Sequence, residues 1–372
     1  MKKILKYPLT LFLLTTIFII TIIDVLNKDI SFSNYENRSL ALKPNFYYSS
    51  FISGRFFKNY ERYINDQFLL RNTWINIKSS SELALGKKEN NGIIYGDNNF
   101  LFDKFDTINK NNLNKNISLL KNFISYTNAN FNLMLIPESF SIYKEYLPYG
   151  VNLIDEINYI EKINDYFSEL NNVSIINIIN TFIENKDEYI YYKTDHHWTS
   201  YGAYLAYKEF CALNNLTSVN INDLTENKVN EFLGTYFSKS KKFNSEKDYI
   251  IWYDIPNIDI KIDNSIKTSL NDNSKWSSSD KYSAFTWGNN GVTYIKNKNI
   301  DDDSKLLIIK DSYANSFIQF IVNNYNEIYI VDLRSFVGSF NEFFNNNNFD
   351  NILIMYSFKN LVEDVNISRI KY

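Results

Sequence analysis

The two histidines of this chain are neighbours, in the segment Asp195-His196-His197-Trp198. Imidazole titrates near neutral pH, so any proton transfer by histidine in this protein must occur here. In an extended segment, residues i and i+2 share a face, which lets Asp195 orient the His197 ring while His196 points the other way. The alternatives are two hydrogen-bonded histidines before a helix, and a metal site formed by Asp195, His196 and a remote carboxylate. We favour a base with its carboxylate, and assign no metal and no cofactor.

A base of this kind needs a nucleophile, and residues 305–317 offer Ser312. A short apolar strand ending at Lys310 runs directly into Asp311 and Ser312, and a helix-compatible stretch follows. This order places a serine at the carboxyl end of a parallel strand, where open α/β sheets bind ligands. The backbone N–H groups of Ser312 and Tyr313 could there meet a developing oxyanion. The alternative is that Ser312 is simply a helix N-cap.

Segments with helical periodicity alternate with short apolar strands along most of the chain. The predicted strands after the first hundred residues are 132–136, 173–179, 306–309, 328–331 and 352–356. A helix is predicted after Trp198, with Thr199 or Ser200 as its N-cap. Strands alternating with helices indicate an α/β fold with a mostly parallel sheet covered on both faces. Residues 215–299 are rich in Asn, Ser, Lys and Asp and are predicted to be an irregular insertion with short strand-like runs such as 249–253.

The composition excludes several classes of protein. The 372 residues carry a net charge of −3, which argues against a nucleic-acid binder held by phosphate contacts. A single cysteine, Cys211, permits no internal disulfide and no cysteine-based metal site. Hydrophobic and charged contents are ordinary for a globular chain, so disorder is excluded.

The N-terminus has the composition of a membrane anchor. Three lysines in residues 1–6 precede an uncharged run of Leu, Ile, Phe and Thr at residues 9–23. That length is borderline between a signal-peptide core and a spanning helix. Because no small residues suited to cleavage follow the run, we favour an uncleaved anchor over a removed signal. The lysines before the run predict a cytoplasmic N-terminus and place the chain after Lys28 outside the cytoplasm.

Together, the two chemical segments resemble a known superfamily. A strand, then Asp-Ser, then a helix is similar to the first block of SGNH (GDSL-like) esterases and acetyltransferases, with Lys310 where that block usually has Gly. The segment 195–198 resembles the DHHW family and the related alginate O-acetylation proteins, in which an Asp-x-His pair precedes the serine. Ordinary SGNH enzymes have the opposite order. Shorter matches cover most of the chain after the anchor: Glu36-Asn37-Arg38, Leu40-Ala41, Pro44, Ile52-Ser53-Gly54, Asp66 with Arg71, and Gly234-Thr235-Tyr236.

The resemblance implies an SGNH-like three-layer sandwich with permuted motif order. It also implies an extracytoplasmic O-acetyltransferase or acetylesterase that acts on a cell-surface polysaccharide. Ser312 would be the nucleophile, His197 the general base and acid, and Asp195 its orienter. Such proteins usually work beside a membrane-bound O-acyltransferase that brings acetyl groups across the bilayer.

Several motif members have no role that the sequence assigns: His196, Trp198, Lys310 and Asp311. Asn289, in the Gly-Asn-Asn-Gly turn after Trp287, is a candidate oxyanion donor, although these residues are equally typical of a plain turn.

The predicted organisation has three parts. Residues 1–28 form a cytoplasmic stub and anchor, residues 29–90 a helical lead-in, and residues 91–372 the SGNH-like domain. A second class of function stays open, namely a non-catalytic scaffold or glycan-binding member of the same fold in an exopolysaccharide assembly complex. Transferase and esterase use the same residues, so the sequence does not separate them.

Overall fold

The computed structural model describes residues 7–263 and 265–371. The predicted cytoplasmic stub at residues 1–6 lies outside the described residues. The chain forms two compact units. One comprises the residues up to Asn90 with Ser238–Asn244, and the other comprises Asn91–Phe237 and the residues from Ser245 onward.

Short strands and amphipathic helices alternate along the chain. The strands are β1 Phe32–Ser33, β2 Arg38–Ser39, β3 Glu89–Asn90, β4 Ile93–Tyr95, β5 Leu101–Asp103, β6 Asn130–Ile136, β7 Val173–Ile175, β8 Thr225–Phe232, β9 Asp248–Asp254, β10 Ile258–Ile262, β11 Ser265–Lys267, β12 Val292–Asn297, β13 Lys305–Lys310, β14 Glu327–Val331 and β15 Asn351–Ser357. The α-helices are α1 Pro8–Leu26, α2 Tyr48–Ile52, α3 Arg55–Gln67, α4 Arg71–Ala84, α5 Lys110–Ser125, α6 Ser139–Ile142, α7 Glu156–Ser168, α8 Ile179–Glu184, α9 Ser200–Leu213, α10 Thr235–Ser240, α11 Ala314–Ile321, α12 Phe340–Asn347 and α13 Phe358–Glu363.

In the smaller unit, α1 is long and apolar enough to cross a membrane. It has 19 residues with a mean hydropathy of 2.5, and no residue of it is buried. At 1.5 Å per residue it is about 29 Å long, close to the thickness of a bilayer's hydrocarbon core. A signal sequence has the same character, so the helix fits either an anchor or a signal.

A charged network organises the rest of the smaller unit. Asp66 is buried and accepts hydrogen bonds from the Arg38 guanidinium and from the N–H of Ala41, at 2.8 Å. Arg71 pairs with Glu36. The hydrogen bond from Arg38 outweighs burial and lowers the pKa of Asp66. All five residues of this network belong to the short matches that carry the family resemblance.

The larger unit is built on an eight-stranded sheet in the order β11-β10-β12-β14-β13-β15-β6-β7. The ladders from β14 to β7 are parallel, and those joining β11, β10, β12 and β14 are antiparallel. The predicted α/β class is confirmed, but the sheet is mixed because its antiparallel edge comes from the segment predicted to be irregular. In β10, isoleucines at every second position are buried, and this alternation was the signal for a strand.

Helices cover both faces of this sheet. From β13 the chain crosses through α11 to β14, and then returns through α12 to β15 on the other side of β13. Right-handed crossovers in opposite directions place α11 and α12 on opposite faces. Helix α9 packs on α11, whereas Phe123 of α5 contacts Phe340 of α12. The result is a three-layer sandwich with β13 at the centre of the sheet.

Candidate active site

Ser312 lies in the tight turn between β13 and α11. The side chain of Asp311 fixes this turn by accepting hydrogen bonds from Tyr313 N at 2.9 Å, Ser357 N at 2.7 Å and Asn360 Nδ2 at 2.8 Å. The turn is thereby tied to the end of the neighbouring strand β15. Ser312 is 8% exposed, so its hydroxyl is almost enclosed by protein.

The histidine segment forms a loop that is closed by a bridge between Tyr191 and Trp198. Nε2 of His197 lies 2.8 Å from Oγ of Ser312, and Nδ1 of the same ring lies 2.6 Å from Oδ1 of Asp195. The structure thus brings together Asp195, His197 and Ser312, although 115 positions separate the histidine from the serine.

His196 departs from the sequence expectation, because its ring does not point away from His197. The two ring centroids are 3.7 Å apart, and Nδ1 of His196 lies 2.6 Å from Oγ1 of Thr235. The expectation assumed an extended strand, whereas residues 193–197 form a series of bends. His196 therefore belongs to the environment of Asp195.

Asp195 is held by the segment Gly234-Thr235. Its Oδ2 accepts hydrogen bonds from the N–H and the hydroxyl of Thr235, both at 2.7 Å. A Cβ added at Gly234 would lie only 2.2 Å from the Cβ of Asp195, so this close approach requires glycine. Because a hydroxyl has one proton, Thr235 accepts a hydrogen bond from His196 when it donates to Asp195.

The protonation states follow from these contacts. Burial opposes ionisation of Asp195, but His196, His197 and the Thr235 N–H outweigh burial and lower the pKa of this carboxyl. Burial lowers the pKa of His197 below its ordinary value, although Asp195 acts in the opposite direction. A neutral imidazole thus faces a carboxylate, which leaves Nε2 free to accept the Ser312 proton.

Two aromatic residues fix this geometry. The ring of Tyr282 stacks on His197 with 3.7 Å between centroids and 9° between planes, and its hydroxyl donates to the Ser312 carbonyl at 3.1 Å. Trp198 donates through Nε1 to the Tyr313 carbonyl and to the Ser316 hydroxyl, each at 2.9 Å. Trp198 was a motif member without a role, and Tyr282 was missed because it lies in the segment predicted to be irregular.

Of the two backbone N–H groups predicted to face an oxyanion, those of Ser312 and Tyr313, one is already engaged in a hydrogen bond. Tyr313 N–H already donates to Asp311, so it is not available, and the Tyr313 phenol bonds to the carbonyl of His196. Within residues 7–263 and 265–371, the N–H of Ser312 has no hydrogen-bond acceptor. Asn289 remains a candidate second donor. Its Oδ1 accepts from Lys310 and Asn315, which leaves its Nδ2 without a partner among the same residues.

Lys310 is buried behind the serine turn. Its Nζ lies 2.9 Å from Oδ1 of Asn289, 2.7 Å from Oδ1 of Asn315 and 3.4 Å from Oδ2 of Asp332. Burial lowers the pKa of Lys310 to about 8, and Asp332 limits the fall. Arg334 also pairs with Asp332, at 2.6 Å, so this carboxylate contacts both the Lys310 ammonium and the Arg334 guanidinium. Lys310 Nζ and Asn315 Nδ2 therefore both contact the carbonyl oxygen of the Asn289 amide.

The metal alternative fits the contacts less well. Ligand atoms of Asp195, His196 and His197 do lie within 4.8 Å of one another. However, the carboxylate oxygens of Asp195 already accept hydrogen bonds from His197 and Thr235. A cation would have to displace these donors, so the arrangement favours a hydrogen-bonded proton-transfer site.

The fold is an SGNH-like α/β sandwich. The chain belongs to the DHHW family, whose model matches residues 86–331. It is similar in structure to a DHHW family protein from Eubacterium siraeum, with 24% identity over 76% of this chain and 95% of that chain and a TM-score of 0.64. It is also similar to Bacillus cereus PatB1 carrying a sulfonyl adduct, with 20% identity over 75% of this chain and 98% of that chain and a TM-score of 0.60. No curated protein matches the sequence.

Proposed function

We propose that this protein is a serine-dependent O-acetyltransferase that acts on a cell-surface polysaccharide outside the cytoplasm. One observation carries the proposal: the His197 ring contacts Ser312 through one nitrogen and Asp195 through the other. This is the arrangement that activates a serine for acyl transfer. The sulfonyl adduct of PatB1 supports it, because sulfonyl reagents modify nucleophilic side chains.

The proposed reaction has two halves. His197 Nε2 takes the Ser312 proton as Oγ attacks the carbonyl carbon of an acetyl donor, and the leaving group departs with that proton, giving acetyl-Ser312. A sugar hydroxyl then loses its proton to His197 and attacks the acetyl group. Ser312 leaves and regains the proton. If water replaces the sugar, the same steps make the protein an acetylesterase.

Two donors would stabilise the tetrahedral intermediate, namely Ser312 N–H and Asn289 Nδ2. Lys310 and Asn315 both hold the Asn289 carbonyl, so the amide is oriented before the substrate arrives. Such preorganisation is valuable because no donor has to turn while charge develops. Lys310 is a positioning residue in this scheme.

The partners follow from the family resemblance and from α1. The acceptor would be a surface polysaccharide, and the acetyl donor would come from a membrane-bound O-acyltransferase. The apolar helix α1 would keep the protein at the membrane with its larger unit outside the cytoplasm.

Labelling with a sulfonyl fluoride tests the nucleophile. The full chain in detergent should become modified at Ser312, Ser312→Ala should not be modified, and His197→Ala should react far more slowly. Intact mass and peptide mapping give the result. An unmodified Ser312 in the folded wild-type protein would favour the scaffold alternative.

A second assay separates transfer from hydrolysis. The protein is incubated with a chromogenic acetyl ester, with and without acetyl-free oligosaccharides from a surface polysaccharide. A transferase should form acetylated sugar at the expense of free acetate, whereas an esterase should release acetate in the same amount with or without sugar.

A further inference from the structure

The smaller unit has an apolar helix face that the protein leaves exposed. On α3, the side chains of Phe57, Tyr60 and Ile64 are 56%, 39% and 42% exposed. Tyr48 and Phe51 of α2 extend this surface, at 74% and 40% exposure. We call these five residues the aromatic face. Large apolar side chains grouped in this way indicate an interaction surface.

Helix α3 is amphipathic, so the exposure is not random. Phe57, Tyr60 and Ile64 follow the spacing i, i+3, i+7, which places them on one side of the helix. Lys58 and Arg62 lie on the other side, which is polar. The rings also contact one another, with 5.1 Å between the centroids of Phe51 and Phe57. The face is therefore a packed unit that lacks a covering layer in the described part of the chain.

Hydrogen bonds join the end of α3, and the residues just after it, to the last turn of α1 and the residues that follow α1. Oδ1 of Asp24, in the last turn of α1, accepts from the N–H of Leu69 at 2.9 Å. Just beyond α1, Asp29 accepts from the Tyr63 hydroxyl at 3.0 Å, and Ile30 exchanges two hydrogen bonds with the Gln67 side chain. The 13 residues of α3 span about 20 Å, so every side chain of the aromatic face on α3 lies within about that distance of the end of α1.

We propose that the aromatic face inserts into the headgroup region of the bilayer that α1 crosses. Aromatic side chains favour the membrane–water interface, and an amphipathic helix lies there with its apolar side toward the lipid. Arg55, Lys58 and Arg62 on the same helix favour anionic headgroups. Because hydrogen bonds hold α3 close to the end of α1, the bilayer is the surface nearest to this face. We therefore favour a membrane over a protein partner as its cover. The proposal is independent of the chemistry at Ser312.

A fluorescent probe tests where the face lies. The lone thiol is removed by Cys211→Ser, and single cysteines are introduced by Phe57→Cys, Tyr48→Cys and, as the matched control on the polar side, Lys58→Cys. Each full-length variant is labelled with an environment-sensitive dye and placed in nanodiscs of phosphatidylcholine and phosphatidylglycerol. Quenching by lipids with a nitroxide near the headgroup is then measured, along with quenching by iodide from the water.

We expect lipid quenching at positions 57 and 48 to exceed that at position 58 several-fold, and iodide to quench position 58 most. Equal lipid quenching at positions 57 and 58 would overturn the proposal. Shielding of position 57 from both quenchers would also overturn it, because a protein surface would then cover the face. These outcomes are read without any acetyl-transfer assay, so they do not depend on the proposed function.

Discussion

Two buried clusters border the turn that carries Ser312, and they differ in how their charges reach it. In the first, the His197 imidazole touches the serine hydroxyl directly, and Asp195 lies behind the imidazole. In the second, the Lys310 ammonium touches the Asn289 and Asn315 amides and Asp332. In the proposed mechanism, the first cluster moves a proton, whereas the second holds an amide in place. On this proposal, the buried charge of Asp195 supports proton transfer, and the buried charge of Lys310 supports the position of an amide.

The largest effect should come from the first cluster. Ser312→Ala and His197→Ala should each lower the rate of acetyl transfer by about 10⁴-fold or more, because the nucleophile or its base is lost. His196→Gln is the matched control and should cost far less, since that ring contacts Thr235 rather than Ser312. A similar loss for His196→Gln and His197→Ala would break the assignment of the base.

Asn289→Ala tests the donor that the second cluster holds. Loss of one oxyanion donor should lower kcat by about 10²- to 10³-fold, with little change in KM. Asn290→Ala is the control from the same turn, because its side-chain amide donates to the carbonyls of Thr286 and Trp287 and not toward Lys310. If Asn290→Ala were the more damaging of the two, the effect would belong to the turn's shape instead.

The pH dependence of activity in Lys310→Met separates the roles of Lys310 and His197. In the wild type, activity should rise as His197 loses its proton, below the ordinary histidine pKa, and fall as Lys310 loses its proton near its pKa of about 8. A neutral amine has two donors for three acceptors, so Asn289 would lose support. The variant should lose about tenfold in kcat at neutral pH and show no alkaline fall.

Lys305→Met is the control for Lys310→Met. Lys305 lies at the other end of β13, where its Nζ donates to the carbonyl of Asn347. Its pH profile should match the wild type. An alkaline fall that persists in Lys310→Met, with thermal unfolding unchanged, would show that another group titrates there.

Thr235→Val should give the smallest effect. The variant keeps the shape of the side chain but removes one hydrogen bond to Asp195, so kcat should fall by about threefold. The carboxylate is then less well stabilised and attracts the His197 proton more strongly. The acid side of the pH profile should therefore move to higher pH, and Thr235→Ser should restore it. An unmoved profile would mean that the hydroxyl does not tune this pair.

Much of this site is predictable from local sequence. Asp195 and His197 lie two positions apart, and Ser312 follows an apolar strand, so residue type and spacing made them candidates, and the resemblance to the DHHW family selected them among the alternatives. The α/β class followed from the same periodicity. The contacts that depend on tertiary folding were not predictable. Tyr282 reaches His197 from a segment whose composition indicates a loop, and no local pattern assigns a ring to stack there.

Other misses have the same physical origin. Whether Tyr313 N–H is available depends on the rotamer of Asp311, and periodicity contains no information about that rotamer. His196 turns toward Asp195 because the loop bends, whereas the i, i+2 rule holds only for extended chain. The antiparallel edge of the sheet was missed because asparagine- and lysine-rich flanks obscured the alternating isoleucines of β10.

Trapping of the covalent intermediate tests directly whether Ser312 carries the acetyl group from the donor to the acceptor. The full-length protein is mixed rapidly with an acetyl donor and quenched in acid, and the acetylated peptide is identified by mass spectrometry. We expect acetyl-Ser312 to form within the first turnover and to decline when a sugar acceptor is added. Acetyl transfer at the full rate with Ser312 never acetylated, or undiminished in Ser312→Ala, would contradict it.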